Sequence, residues 1–207
     1  MWVDSYADKY QRINGFKMKL KVSEEDELEG FISLEPSTRS TYDIAMRDAT
    51  IDGLVTMDKI EELKPGRIFY KTDLPSELFI LQSVNKFEFQ RKTMRVNAIK
   101  QNCYVTIQRM NYENSHYEDI YTDLISFVTM QSKDEKNFAA GTEDNTLLTI
   151  QIPKINYENE IYQVLNEDRI LLKNLDKKLE RNIKVESINS FAIPGIIMIS
   201  GTFDTRT

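Results

Sequence analysis

The sequence predicts a mainly β protein made of two small β-barrel-like modules in tandem, with a few short helices. The first reason is a repeated pattern. Residues 67–71 and 80–85 are two short apolar strands joined by a charged turn, and residues 169–173 and 184–189 have the same form. Both second strands end on Ser-(Val or Ile)-Asn, which indicates two copies of one β-module. The second reason is that strand-like alternation dominates, without the long alternating helices of an α/β protein.

The elements of the first half follow from the spacing of apolar residues. Residues 5–13 are predicted to form a short helix, and residues 16–22 alternate apolar and basic side chains as a half-buried strand does. That strand is expected to pair with residues 31–34 across an acidic turn. A second short helix is predicted over residues 56–63, ended by Pro65-Gly66. Beyond the first repeat hairpin, long strands are predicted at 86–95 and 96–110.

A polar joint at residues 111–115 predicts the module boundary, with an N-terminal module of residues 1–111 and a C-terminal module of residues 112–207. Ile120, Leu124, Phe127 and Val128 suit either a short helix or an irregular strand. Residues 131–145 are the least apolar stretch and are predicted to be a long loop. Strands are expected at 147–152, in the repeat hairpin, and at 195–203.

Composition indicates an ordinary globular protein. The 207 residues are 41% hydrophobic and 29% charged, with a net charge of −6. The single cysteine, Cys103, excludes an intramolecular disulfide. The start of the chain shows no basic and apolar leader, and no apolar run approaches the roughly 18 residues of a membrane span. We therefore expect a protein made in the cytoplasm, without membrane contact.

A basic stretch runs through residues 86–109. It contains the six cations Lys86, Arg91, Lys92, Arg95, Lys100 and Arg109 against the single acid Glu88. One interpretation is a stripe that binds phosphates or an acidic protein. The other is the solvated outer face of a hairpin, because strands of a half-buried sheet direct their charges outward.

Candidates for catalysis are few, so we expect no enzyme activity, no cofactor and no metal site. His116 stands alone in a polar joint, and Cys103 lies in a strand pattern as a small buried hydrophobe. The acidic run Glu24-Glu25-Asp26-Glu27 lacks the alternating ligand spacing of a calcium loop and is interpreted as a solvated hairpin tip.

Two segments resemble minor structural proteins of the neck of tailed bacteriophages. In the C-terminal segment, Lys184-Val185-Glu186-Ser187-Ile188-Asn189 followed by Gly195-Ile196-Ile197 is similar to the strands that complete small barrels in that group. In the first half, Gly66-Arg67-Ile68-Phe69-Tyr70-Lys71, Phe79-Ile80-Leu81-Gln82-Ser83 and Val96-Asn97-Ala98-Ile99-Lys100 resemble the head-closure pattern. The sequence departs from that pattern at Arg67, where an acid is usual, and at Phe79, where tryptophan is usual.

The resemblance implies a virion protein, assembled in the host cytoplasm, that forms a homo-oligomeric ring between the portal and the tail. Its partners would be portal or adaptor proteins and tail proteins, with packaged DNA passing through the bore without sequence-specific binding. Under this hypothesis Phe138, Ala139, Ala140, Arg91, Lys92 and Arg95 contact protein partners. Glu24, Glu25, Asp26 and Glu27 would form an acidic surface facing the DNA. Another phage tail role, in tail completion or the baseplate, is the first alternative.

A second alternative is a β-barrel module that binds nucleic acid. Five-stranded barrels bind single strands on an aromatic and basic face. Phe87, Phe89, Arg91, Lys92, Arg95 and Tyr104 supply residues of that kind. The net negative charge argues against this alternative, as does the alternation of the aromatic residues, which is typical of a core.

Overall fold

The computed structural model describes residues 9–10, 12–23, 25–36, 49–86, 93–113, 115–132, 146–154 and 161–204. Twelve strands are formed by these residues. They are β1 Phe16–Lys21, β2 Glu27–Pro36, β3 Thr50–Met57, β4 Ile68–Lys71, β5 Leu74–Lys86, β6 Thr93–Lys100, β7 Cys103–Asn111, β8 His116–Ser132, β9 Thr146–Pro153, β10 Arg169–Asn174, β11 Glu180–Asn189 and β12 Ile196–Phe203. Helical residues are few, with a 3-10 helix at Ile60–Glu62 and helical turns at 9–10 and 12–14. The predicted fold class is confirmed.

The strands close into two six-stranded antiparallel barrels. Strands β1 to β6 form the first barrel in the order β1-β2-β3-β6-β5-β4, and β7 to β12 form the second in the order β10-β11-β12-β9-β8-β7. Counted from the first strand of each barrel, both orders are first, second, third, sixth, fifth, fourth. The two modules therefore share one topology.

The sequence repeat occupies equivalent places in the two barrels. The first copy is the β4–β5 hairpin and the second is the β10–β11 hairpin, which are the fourth and fifth strands of their barrels. Each fifth strand has a β-bulge at the same point of the repeat, between Leu81 and Ser83 in β5 and between Val185 and Ser187 in β11. The shared Ser-(Val or Ile)-Asn ending thus lies directly after a bulge in both strands. A bulge bends its strand.

Each barrel buries its own apolar core. In the first, inward side chains such as Leu20, Phe69 and Leu81 are fully buried, and the rings of Phe69 and Phe79 stack at 5.2 Å between centroids. In the second, Ile107, Ile150 and Ile199 are equally buried. Neighbouring core-cluster residues of one strand are two positions apart, as in Met94, Val96 and Ala98. The alternation of apolar residues in the sequence therefore places one face of each strand inside the barrel.

The change of barrel falls at a different place from the predicted joint. The first compact unit runs to Gln101 and also includes 153–161 and 193–196, whereas the second begins at Asn102. β7 pairs with β8 and β10, so residues 103–111 belong to the second barrel and not to a module ending at 111. Of the described residues in this joint, Asn111 ends β7, and Tyr112, Glu113 and Ser115 lie in the turn between β7 and β8. Hairpin turns and module joints share the same polar composition, which explains the difference.

One helical prediction differs from the structure, and one open choice between helix and irregular strand is decided in favour of the strand. Residues 56–57 continue β3, because Thr56 and Met57 pair with Phe31 and Gly30 and are buried, so only Ile60–Glu62 is helical. Ile120 to Val128 lie in β8, which pairs with β7 through two register shifts. These bulges interrupt the strand period and produce a spacing that resembles a helix. The predicted pairing of residues 16–22 with 31–34 is confirmed as β1 with β2, in the register Phe16 to Ile32.

Candidate functional surface

Several residues predicted to contact partners lie outside the described residues. These are Glu24, Phe87, Phe89, Arg91, Lys92, and Phe138 to Ala140 with most of the predicted 131–145 loop. Arg95 is described, and its side chain is exposed on β6 of the first barrel. Tyr104 lies on β7 of the second barrel. Arg95 and Tyr104, predicted to share an aromatic and basic face, are thus on strands of different barrels.

The basic stretch does not form a row of free cations. Lys100 Nζ donates a hydrogen bond to Glu77 Oε1 at 2.7 Å within the first barrel. Arg109 forms an ion pair with Asp168 in the second barrel. Two of the six cations are therefore neutralised by partners that are distant in the sequence.

The acidic hairpin between β1 and β2 is divided into a paired and an exposed part. Glu27 accepts hydrogen bonds from Lys19 Nζ at 3.0 Å and from the Tyr70 hydroxyl at 2.8 Å. These two donors lower the pKa of Glu27, while the same contact with Glu27 raises the pKa of Lys19. Glu25 and Asp26 are exposed at the tip, where the Asp26 N–H donates to Ser23 Oγ at 2.9 Å. Only Glu25 and Asp26 among the described acids of this run are open to a partner.

His116 and Cys103 have the surroundings that their sequence context predicted. His116 is exposed at the start of β8, and Cys103 is 3% exposed. Burial raises the pKa of the Cys103 thiol to about 11, so it remains protonated at neutral pH. In the described ranges no three His, Cys, Asp or Glu side chains are grouped to hold a metal ion. None of the helices in those ranges is long and apolar enough to cross a membrane.

Two exposed leucines lie in the turn between β10 and β11, residues 174–179, for which the sequence predicts only a polar connection. Leu175 and Leu179 are 53% and 70% exposed in this turn. The sequence contains a signal for this surface, because the connection has two leucines among residues that are otherwise Asn, Asp and Lys. We call residues 174–179 the leucine turn. Two exposed leucines close together in the sequence make this turn a candidate contact surface for another molecule.

The backbone of the leucine turn is held mainly by the Asn174 side chain, with a further hydrogen bond from the Lys178 N–H to Asp176 Oδ1 at 3.3 Å. Asn174 Oδ1 accepts hydrogen bonds from the N–H groups of Lys178 and Leu179, at 3.0 and 3.1 Å. The Asn174 backbone donates to the Leu179 carbonyl and accepts from the Lys177 N–H. Lys177 adopts a left-handed conformation, with φ of 57°, which lets the chain reverse. The two leucines are therefore held in place before any partner binds.

An ion cluster around Asp123 also supports the leucine turn. Asp123 accepts from Lys173 Nζ at 3.1 Å and from Lys177 Nζ at 2.6 Å, and the Lys177 ammonium lies 4.6 Å from the centre of the Tyr104 ring. Asp123 itself has φ of 51° in the irregular part of β8. The hydrogen bond from Lys177 is the main reason that the pKa of Asp123 is lowered, and the same bond raises the pKa of Lys177. These contacts join three strands to the leucine turn.

Comparisons with known proteins assign no family. No family model matches the chain, and no curated protein matches it. Among solved structures, the chain is similar to the complex of K. pneumonia MrkH with c-di-GMP, at 9% identity over 100% of this chain and 87% of that chain, with a TM-score of 0.21. It is also similar to the apo state of MrkH, at 9% identity over 100% and 85% of the chains, with a TM-score of 0.20. At these TM-scores the likeness supports no conclusion about this chain.

Proposed function

We propose that this chain is a non-enzymatic structural protein that assembles into an oligomeric ring. The assembly favoured by the sequence resemblance is the neck of a tailed bacteriophage, where the ring joins the portal and capsid to the tail and helps to retain packaged DNA. The observation that carries the proposal is the pair of closed barrels with one topology. Ring assembly requires several stable surfaces on one chain, and repeated compact modules supply them.

Closed barrels restrict how the chain binds its partners. Among the described residues every strand has a hydrogen-bonded neighbour on both sides, so the two barrels contain no edge strand for a partner strand to extend. Partner contacts must use outward side chains and connections. The leucine turn suits this role, because its leucines are exposed while its backbone is fixed, and pre-organised contacts lose little entropy on binding.

The acidic surface proposed to face DNA is smaller than the sequence run indicates. Glu25 and Asp26 are exposed, whereas Glu27 is engaged by Lys19 and Tyr70. Exposed carboxylates repel the phosphates of packaged DNA and favour its sliding. The chain's net charge of −6 agrees with a surface that does not hold DNA tightly.

Electron microscopy of the purified full chain tests this proposal. We expect ring-shaped oligomers with a central bore at high protein concentration, and a matching density in the neck of intact particles. A chain that shows only monomers by both microscopy and mass photometry, with no neck density in particles, would contradict the proposal.

A second candidate function is binding of a phosphate-bearing ligand near residues 91–95. The observation that favours it is Arg95, which is exposed on β6 and forms no ion pair with any described residue. Its neighbours Arg91 and Lys92 in the sequence add two further cations. An arginine without an ion pair in the described part of the chain is suited to bidentate recognition of phosphate.

Fluorescence anisotropy distinguishes the second candidate from the first. Because phosphate recognition does not select one kind of nucleotide, the titration uses a short single-stranded DNA and a linear dinucleotide as a small phosphodiester. Binding at physiological salt that is lost on replacing Arg91, Lys92 and Arg95 with alanine would favour the second candidate. Replacing the paired Lys100 provides the matched control.

A further inference from the structure

We propose that Asn14 is a site of spontaneous deamidation in the folded protein, where it converts to aspartate and isoaspartate. The observation that carries the inference is an exposed asparagine, followed by glycine, at the end of a helical turn. The modification is a covalent change of the chain itself, so it does not depend on ring assembly.

Asn14 and Gly15 form the only Asn-Gly pair in the sequence. Glycine has no Cβ and adopts more backbone conformations than other residues. The main-chain nitrogen of Gly15 can therefore approach the side-chain carbonyl carbon of Asn14 with little steric hindrance. After any other asparagine of this chain, the side chain of the next residue hinders the same approach.

The two residues connect a helical turn to the first strand. Residues 12–14 are helical, Gly15 lies in a bend, and β1 begins at Phe16, which pairs with Ile32. Gly15 thus lies outside the β1–β2 ladder, and that pairing does not hold its N–H. A helical segment this short is marginal on its own, so the backbone angles of Asn14 can change at low cost.

One hydrogen bond restrains the Asn14 side chain. Its Nδ2 group donates to the Tyr10 carbonyl at 3.2 Å, and this bond is exposed to solvent. Water competes for both groups, so the bond stabilises this side-chain position only slightly. The amide of Asn14 is therefore free to rotate towards the Gly15 nitrogen.

Asn189 provides a contrasting site in the same chain. It is also exposed and is followed by a small residue, Ser190. Its Oδ1 atom accepts hydrogen bonds from the N–H groups of Phe191 and Ala192, both at 3.0 Å. These two bonds hold the side chain in the turn after β11, so we expect Asn189 to react more slowly than Asn14.

The reaction requires only water. The Gly15 nitrogen loses its proton and bonds to Asn14 Cγ, the Cγ–Nδ2 bond breaks, and ammonia leaves, which produces a cyclic imide. Water then adds to one of the two imide carbonyl carbons, and the bond from that carbon to nitrogen breaks. Breakage at Cγ gives aspartate, whereas breakage at the main-chain carbon gives isoaspartate, with an additional methylene group in the main chain.

The products alter the attachment of the helical turn to the first barrel. Both add a negative charge and remove the donor to the Tyr10 carbonyl, and isoaspartate also lengthens the chain just before β1. Arg12 in this turn forms an ion pair with Asp58 at 3.0 Å and lies 5.6 Å from the centre of the Phe31 ring. We therefore expect the modification to weaken the contacts of Arg12.

Tryptic peptide mapping of the folded full chain, incubated near neutral pH at physiological temperature, tests the inference. Trypsin cleaves after Arg12 and Lys17, so residues 13–17 form one peptide. We expect this peptide to yield two products whose mass corresponds to replacement of the amide NH2 by OH, while the peptide with Asn189 changes much less. Gly15→Ala should largely suppress the conversion, and alanine fits this position because Gly15 has no positive φ. Thermal melting before incubation confirms that the variant is folded.

The denatured chain supplies the reference rate for the same peptide. Conversion of the folded chain at a comparable rate supports an open site at Asn14. A peptide that stays unmodified in the folded chain while the denatured chain is converted overturns the inference, because the fold would then protect the site. Undiminished conversion in Gly15→Ala also overturns it, since attack by an unhindered glycine nitrogen would not be the cause.

Discussion

Arg109 and Asp168 lie 59 positions apart in the sequence and form a bidentate ion pair, with Nε to Oδ1 at 2.8 Å and Nη2 to Oδ2 at 3.0 Å. The Asp168 side chain is fully buried. The same arginine donates to the Gln163 carbonyl, and Asp168 accepts from the Leu165 N–H at 2.7 Å. This pair fastens the segment before β10 to β7 in the second barrel.

Replacing Arg109 with alanine should therefore destabilise the second barrel. The change leaves a buried carboxylate without its cation, which we expect to cost about 2–4 kcal/mol in the free energy of unfolding. Chemical denaturation combined with hydrogen exchange measures the loss and assigns it to the second barrel. Lys184→Ala, which breaks an exposed pair with Glu186, is the control and should change stability by less than about 0.5 kcal/mol. Equal effects of the two substitutions would contradict the structural role of Arg109.

Local periodicity was sufficient to predict the barrels and the position of the repeat, but not the contacts that close them. The repeat was visible because the fourth and fifth strands of a barrel have the same inward and outward requirements in both modules. The Arg109–Asp168 pair was not, since it depends on β7 meeting β10 when the second barrel closes. Cation and carboxylate are both common residues, and nothing local marks this particular pair.

Long-range pairing also explains why the helix predicted over residues 56–63 differs from the structure. Residues 56–57 have a spacing that suits a helix, yet β2 and β6 flank them and extend β3. In the leucine turn, by contrast, the sequence predicts the turn itself but not the exposure of its two leucines. A turn is easily recognised as polar, but whether Leu175 and Leu179 project outward depends on how Asn174 orders the backbone.

The ion cluster at Asp123 predicts a loss of order in the leucine turn at acidic pH. Its lowered pKa means that the folded state favours the carboxylate. The stabilisation is therefore present above the ordinary pKa of an aspartate and is lost as pH falls through the lower folded value. We expect the Lys178 and Leu179 amide signals in NMR spectra to shift and broaden in that range, below about pH 4.

Asp123→Asn is the matched control for this titration. Asparagine tolerates the left-handed conformation of residue 123 but carries no charge. The variant should remove the pH dependence of the turn amides without disrupting β8. Amide shifts that persist unchanged in Asp123→Asn would assign the transition to another group.

Val185→Asp tests whether the two barrels are separate folding units. Val185 is 3% exposed in the second core, so the substitution buries an unpaired carboxylate and should cost about 3 kcal/mol or more. Hydrogen exchange should increase in β7 to β12 while β1 to β6 keep their protection. Glu186→Asp at the adjacent exposed position serves as the control. Simultaneous loss of protection in both barrels would contradict independent modules.

Asn174→Ala tests whether the leucine turn is pre-organised. Alanine removes the acceptor shared by the Lys178 and Leu179 N–H groups, which should lower stability by only about 1 kcal/mol because the turn is exposed and water can replace the side chain. The Leu179 amide should exchange much faster with solvent, and the Lys178 amide less so because Asp176 Oδ1 also accepts from it at 3.3 Å, while the amides of β10 and β11 remain protected. Self-association should weaken as well, since the leucines must then be ordered at the moment of contact. Asn182→Ala in β11 is the matched control, because its side chain forms no hydrogen bond to the turn within the described residues. Fast exchange of the turn amides with undiminished self-association would show that the leucine turn is not the surface that joins the copies.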